Sequence, residues 1–173
     1  MIIKTFEIIK KKIDTHNFFL IYGENEGQKN EIIQALKNKL RGDIENYDET
    51  QILNNTEEFY AKIFNKSFFE NEKIIIINRC SEKLYEIEKN LKEKSISDIK
   101  IIFNATILDK KSKLRSFFEK ENSCGIVACY PDNEITIKRI ITERLKEFSN
   151  LTNYDINLIK SNSSLDRAKL NNE

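Results

Sequence analysis

The stretch from Asn17 to Ile33 constrains this chain more than any other. Phe18-Phe19-Leu20-Ile21-Tyr22 is unbroken apolar and aromatic sequence, too short for a buried helix and without the alternation of a half-exposed strand. It reads as a strand covered on both faces. Gly23 to Gly27 then forms a glycine-bounded loop, and Ile32, Ile33, Leu36 and Leu40 follow at helical spacing over about Gly27 to Lys39. Strand, glycine loop and helix is the layout that aims backbone N–H groups and a helix N-terminus at a phosphate. The intact pattern has a second glycine directly before the lysine and a Ser or Thr directly after it. Gly23 and Lys29 keep the spacing, but Gln28 takes the second glycine's place, Gly27 comes one residue early, and Asn30 replaces the hydroxyl that holds Mg²⁺.

The rest of the chain alternates. Arg41-Gly42-Asp43 stops the first helix, and Ile44 to Tyr47 is a weak strand. Asn55, with Glu58 in the capping-box position, starts a helix carrying Phe59, Ile63 and Phe64 and ending near Asn65. Lys73 to Ile77 is β-branched throughout and reads as a central buried strand. Ser81 caps a helix over about Glu82 to Glu93, with Leu84, Ile87 and Leu91 on one face. Lys100 to Phe103 is a further short strand, Leu108 to Glu119 a basic amphipathic helix turning Leu114, Phe117 and Phe118 inward, and Gly125 to Cys129 the last strand. This order predicts an α/β fold: a parallel five-stranded sheet with helices on both faces. The first strand is expected at the centre of that sheet.

Composition changes at Tyr130-Pro131-Asp132-Asn133, where the only proline stands. Beyond it the pattern is helical: Ile135 to Phe148 (with Ile137, Ile140, Ile141, Leu145 and Phe148 on one face), then about Asn153 to Lys160 and Leu165 to Asn171. The expected division is residues 1–131 as a nucleotide-binding fold with a degenerate loop and residues 132–173 as an incomplete helical lid. The last helix has no stop signal, so the natural chain is expected to continue.

A net charge of +1 from 29 basic and 28 acidic residues argues against a dedicated non-specific nucleic-acid binder. Ile, Lys and Asn are favoured by A/T-rich codons, so lysine abundance carries no functional reading by itself. Cys80, Cys124 and Cys129 form no CxxC pair and His16 is the only histidine, which leaves too few ligands for zinc. The thiols read as buried and free in a reducing compartment. No apolar run approaches the roughly 20 residues a membrane helix needs, and Met1 to Lys12 is too interrupted by charge for a signal peptide. A cytoplasmic protein with no membrane contact is expected.

A working P-loop enzyme also needs a carboxylate at a neighbouring strand end. The strand from Ile74 to Ile77 runs instead into Asn78 and Arg79, and the one ending at Phe103 into Asn104. Glycine, hydroxyl and acid fail together, which leaves Lys29 as a solvated helix lysine and predicts no cofactor, no metal and no catalytic residue. His16 reads as a surface residue before a strand, and Asp109 as a helix-start residue. The feature these demands leave unexplained is Ser67-Phe68-Phe69-Glu70-Asn71, two adjacent aromatics in a polar loop. They either fold back on the sheet edge or form an exposed apolar plug for a partner's pocket.

These motifs, in this order, resemble the delta subunit of the bacterial DNA polymerase III clamp loader. The resemblance rests on Phe19-Leu-Ile-Tyr-Gly-Glu-Asn-Glu-Gly with its broken loop and on Ser67-Phe68-Phe69 before the central strand. It extends to Leu108-Asp109-Lys110-Lys111-Ser112-Lys113-Leu114, to Ala128-Cys129-Tyr130-Pro131-Asp132 before a helical lid, and to Asp166 to Glu173 as the start of the lid's last helix. It implies a RecA/AAA+-like fold in a non-catalytic subunit of the polymerase III holoenzyme, itself a nucleotidyltransferase complex. It implies as partners the beta sliding clamp, the gamma/tau and delta prime subunits, and primer–template DNA reached through the complex. Ser67, Phe68 and Phe69 are then the clamp-binding residues, while Gly23, Gly27, Gln28, Lys29 and Asn30 mark a degenerate loop without a working nucleotide site, weak residual nucleotide or anion binding being the alternative there. Phe68 replaces the family's usual leucine. Phe64 stands where some relatives have glutamine three residues before the serine, so that secondary contact is not carried over. The related ATP-hydrolysing and delta-prime subunits have zinc-binding cysteines, which this chain lacks.

Two rival readings stand beside this one. A divergent P-loop ATPase or kinase uses Lys29 and draws Mg²⁺ ligands from Asp48, Glu49 or Asp109. A DNA-binding helper uses Lys110, Lys111, Lys113 and Arg115 on phosphates.

Overall fold

The computed structural model describes residues 16–40, 42–64, 73–93, 99–148 and 152–170. Five strands, β1 (Phe18–Tyr22), β2 (Asp43–Asp48), β3 (Lys73–Cys80), β4 (Ile99–Ala105) and β5 (Cys124–Ala128), form one sheet in the order β2-β3-β4-β1-β5. Every pairing is parallel. The α/β architecture is the one the alternation predicts, with one correction. β4 holds the centre, and β1 lies between β4 and β5.

The apolar runs explain the interior positions. On β1, Phe18, Leu20 and Tyr22 face one layer and Phe19 and Ile21 the other, and all five are buried. β3 and β4 repeat this, with Ile75, Ile77, Ile101 and Phe103 on the first face and Ile74, Ile76 and Ile102 on the second. A fully buried Ile or Phe is worth about 1.5–3 kcal/mol, so no interior strand can present a face to water. Helix α1 (Glu26–Lys39) covers the second face with Ile32, Ile33 and Leu36. The first face is covered by α2 (Glu49–Asn54), α3 (Thr56–Phe64), a 3₁₀ turn (Glu82–Leu84), α4 (Tyr85–Glu93) and α5 (Lys113–Lys120).

Several element boundaries differ from the sequence reading. Helix α2 was not expected; Asp48 precedes it, and its N–H donates to Gln51 Oε1 at 2.9 Å. β3 runs on through Asn78-Arg79-Cys80, with a bulge at which Arg79 takes a left-handed φ of 57° and Cys80 turns inward. A non-glycine residue there costs on the order of 1 kcal/mol, and an Arg79–Asp48 ion pair at 2.5 Å holds the side chain. Helix α5 begins at Lys113, because Ser112 caps it by accepting from Arg115 N–H at 3.1 Å. Leu108 is buried from the preceding loop, and its carbonyl accepts from Arg115 at 3.3 Å.

After Pro131, among the described residues, come α6 (Glu134–Arg144), α7 (Asn153–Ser163) and α8 (Arg167–Leu170). Ile137, Ile140, Ile141 and Leu170 form an apolar cluster of their own, with Leu145, Ile156 and Ile159 packed against it. Phe148, expected on the inner face, lies past the end of α6 and is 65% exposed. The three cysteines are buried thiols. Burial pushes the Cys124 thiol up to about 11 and the Cys129 thiol up to about 12. Among the described residues no helix is long and apolar enough to cross a membrane.

One buried group runs against the core's chemistry. Glu88 on α4 is 0% exposed, and neither carboxylate oxygen has a hydrogen-bond partner among the described residues. Burial raises its pKa from 4.5 to about 8, with Lys92 opposing and Glu121 adding to the shift. A raised folded pKa favours the protonated form, so the stability it supports is complete below pH 4.5 and is lost as pH rises through about 8. Urea denaturation across this range is expected to show wild type losing a few kcal/mol. Glu88→Gln is expected to flatten that slope; equal slopes for the two proteins would remove Glu88 as its source.

Candidate functional site

The site lies at the C-terminal ends of β1, β4 and β5, the position where parallel α/β sheets bind ligands. The chain leaves β1 through Gly23, whose φ of 129° is closed to other residues; a Cβ there meets the Cys129 carbonyl oxygen at 2.1 Å. Gly23 N–H donates to Thr106 O at 3.1 Å, and Asn25 N–H to Cys129 O at 3.2 Å. The loop is thereby tied to both neighbouring strand ends. Asn25 caps α1, its Oδ1 accepting from Gln28 N–H at 2.9 Å.

Lys29 departs from expectation. It is 2% exposed, not solvated, and its ammonium donates to Ala105 O at 3.0 Å and pairs with Glu26 at 2.7 Å. The lysine that a phosphate-binding loop extends toward its ligand here braces the loop helix against the end of β4. Asn30 is exposed, Gln28 half-buried, and Gly27 buried. Gly27 is required by proximity: a Cβ there lies 2.6 Å from Ala168 N and 2.9 Å from Arg167 Cβ, both on α8.

The strand ends beside the loop carry amides. Asn78 and Asn104 are register partners, and Asn104 Nδ2 donates to Asn78 Oδ1 at 3.1 Å. Two carboxylates of the ATPase reading are already engaged. Asp48 pairs with Arg79, and Glu49 accepts from Ser81 N–H at 2.6 Å and Ser81 Oγ at 2.9 Å. Asp109 is exposed. No group of three or more His, Cys, Asp or Glu among the described residues is placed to hold a metal ion. His16 is half-buried and stacks on Phe19 at 6.1 Å.

Of the basic set in the DNA-binding reading, Lys110, Lys111 and Lys113 are exposed. Arg115 is engaged by Glu119 at 2.8 Å and lies over the Tyr22 ring at 5.0 Å. Ser67, Phe68 and Phe69 fall outside the described residues.

The residues that sequence reasoning missed are Asp132 and Arg167. Arg167 Nε and a terminal nitrogen donate to the two Asp132 oxygens at 2.9 and 2.5 Å, and the other terminal nitrogen donates to Glu31 at 2.9 Å. Asp132 also accepts from Asn25 Nδ2 at 2.7 Å. Asp132 and Arg167 are 35 residues apart and their partners Asn25 and Glu31 lie more than a hundred residues away, so no periodic signal links them, and Arg167 is one of 29 basic residues. The proline break beside Asp132 is the only local cue.

No protein-family model matches the chain. Among curated proteins it is similar to a probable DNA polymerase III subunit delta of Rickettsia prowazekii, with 28% identity over 160 residues. That alignment takes in 89% of this chain and 47% of the relative, so the chain spans about half the length of the curated relative it matches. Among solved structures it is similar to the DNA clamp loader delta protein YqeN of Bacillus subtilis, with a TM-score of 0.62, 13% identity, and coverage of 96% of this chain and 56% of that one. It is also similar to domain III of the Thermotoga maritima replication initiation protein DnaA, with a TM-score of 0.50, 16% identity, and coverage of 97% and 77%. Identities this low establish the fold alone.

The geometry predicts that Lys29→Ala acts on folding. Losing the buried ammonium is expected to cost about 1–3 kcal/mol in a denaturant titration, while calorimetry with Mg-ATP gives no binding heat before or after the change. Tight Mg-dependent binding abolished by the substitution would return the loop to nucleotide chemistry. Taking the loop, the sheet and the comparisons together, the chain resembles the bacterial DNA polymerase III delta subunit in sequence and in fold.

Proposed function

We propose that this chain is the AAA+-like part of a clamp-loader delta subunit, which binds the ring-shaped sliding clamp and opens it for loading onto primed DNA without hydrolysing ATP. The observation that carries the proposal is the converted loop. Lys29 is buried against Ala105, and Asn78 and Asn104 stand where an ATPase needs acid. A chain that keeps the fold around such a site has its use in surfaces. The likeness to a probable DNA polymerase III subunit delta supplies the process.

On this reading residues 1–131 are the core and 132–173 part of a helical lid. The partners are the beta clamp, the gamma/tau and delta prime subunits and, through the complex, primer–template DNA. The exposed Lys110, Lys111 and Lys113 offer a phosphate-facing edge for that last contact. The compartment is the cytoplasm, where reduced thiols and replication coexist.

The clamp contact is assigned to Ser67, Phe68 and Phe69, which lie in the chain between α3 and β3. Large apolar anchors dominate interface energetics when they enter a desolvated pocket. Phe69→Ala is expected to weaken clamp binding by about 2–4 kcal/mol with the fold intact, measured by surface plasmon resonance on immobilised clamp. An unchanged affinity in a folded variant would take the clamp contact away from this turn.

A further inference from the structure

The ion-pair cluster beside the loop joins Asn25, Glu31, Asp132, Arg144 and Arg167. Asp132 and Arg167 have side chains only 4% and 7% exposed. Arg167 presents its planar fork to Asp132 through two nitrogens and to Glu31 through the third, so all three nitrogens donate to carboxylates. Glu31 also accepts from Arg144 on α6 through its other oxygen. Asp132 Oδ2, which accepts from Arg167 Nε, also accepts from Asn25, the residue that caps α1. A carboxylate therefore sits beside the start of the loop helix, held by a capping side chain and a guanidinium. A guanidinium and a side-chain amide are donors suited to an anion, and here both are taken by a carboxylate of the chain itself.

We infer that the ion pairs of Arg167 with Asp132 and Glu31 take the place of a bound anion in holding α6, α7 and α8 closed on the loop in the absence of nucleotide. Helix α8 is the clasp. Its Leu170 packs into the apolar cluster formed by α6, while Arg167, three residues earlier, reaches the core. Helix α8 packs directly on Gly27 in the first turn of α1, with only 2.6 Å from a Cβ position there to Ala168 N. A competing phosphate has to displace a buried bidentate pair and would leave Asp132 charged without its partner, an arrangement strongly disfavoured in a desolvated site. The position of α6 to α8 is thus set by sequence. In an enzyme with a working loop, bound nucleotide can set it. This inference rests on the ion pairs and on the packing of α8, and holds whatever the chain's partners are.

Hydrogen exchange on the whole chain tests it. Asp132→Asn is expected to accelerate amide exchange in 134–144, 153–163 and 167–170 by roughly tenfold or more, with β1, β3 and β4 unchanged. Mg-ATP at millimolar concentration is expected to slow exchange in neither protein. Should Asp132→Asn unfold the chain, Glu31→Gln removes only one partner of Arg167 and is expected to give a smaller acceleration confined to the same helices. Unchanged exchange in the folded variants overturns the inference. So does a wild-type protein whose helices are protected by added Mg-ATP, because nucleotide then does the closing.

Discussion

A parallel sheet that is apolar on both faces has no solvent side, and the rest of this molecule follows from that. Residues of β1, β3 and β4 alternate between two buried layers, so each crossover must deliver a helix to one layer or the other. The chain must then leave β1 inside the sheet, between the ends of β4 and β5. Gly23 makes that exit possible: its φ of 129° and the 2.1 Å approach to Cys129 O exclude any side chain. Gly23 is thus required by the sheet itself.

The same economy accounts for the polar groups around the loop. Lys29 ties α1 to β4, Asn25 joins the helix cap to Asp132, and Arg167 fastens α8 to both Asp132 and Glu31. Each is a donor or acceptor that a nucleotide site would keep available, and each is spent on the protein itself. Asn78 and Asn104 complete the pattern with a neutral amide pair at the strand ends. On the proposed function, this sheet and loop serve as a mount for contacts made elsewhere.

Much of the sheet was legible in the sequence because unbroken β-branched and aromatic runs have few alternatives; Ile74 to Ile77 and Phe18 to Tyr22 are the clearest cases. The break at Pro131 and the helical tail were legible for the same kind of local reason. The extension of β3 through Asn78 and Arg79 was not, because it depends on a bulge and a left-handed residue that polar sequence does not announce. The start of α5 was misplaced because Leu108 is buried from a loop, and burial alone mimics helical periodicity. Lys29 was expected in solvent because lysine is rarely buried; its partner Ala105 is 76 residues away. The departures from the phosphate-loop pattern could be read from spacing, but the network of Asn25, Asp132, Arg167 and Glu31 could not, since it joins residues that only the fold brings together.

The central claim is that this chain acts by contact and that nucleotide has no part in that contact. It is tested most directly by measuring sliding-clamp binding to the chain without nucleotide, with Mg-ADP and with Mg-ATP, under otherwise identical conditions. The account predicts one dissociation constant in all three. An affinity for the clamp that appears only when ATP is present would contradict it.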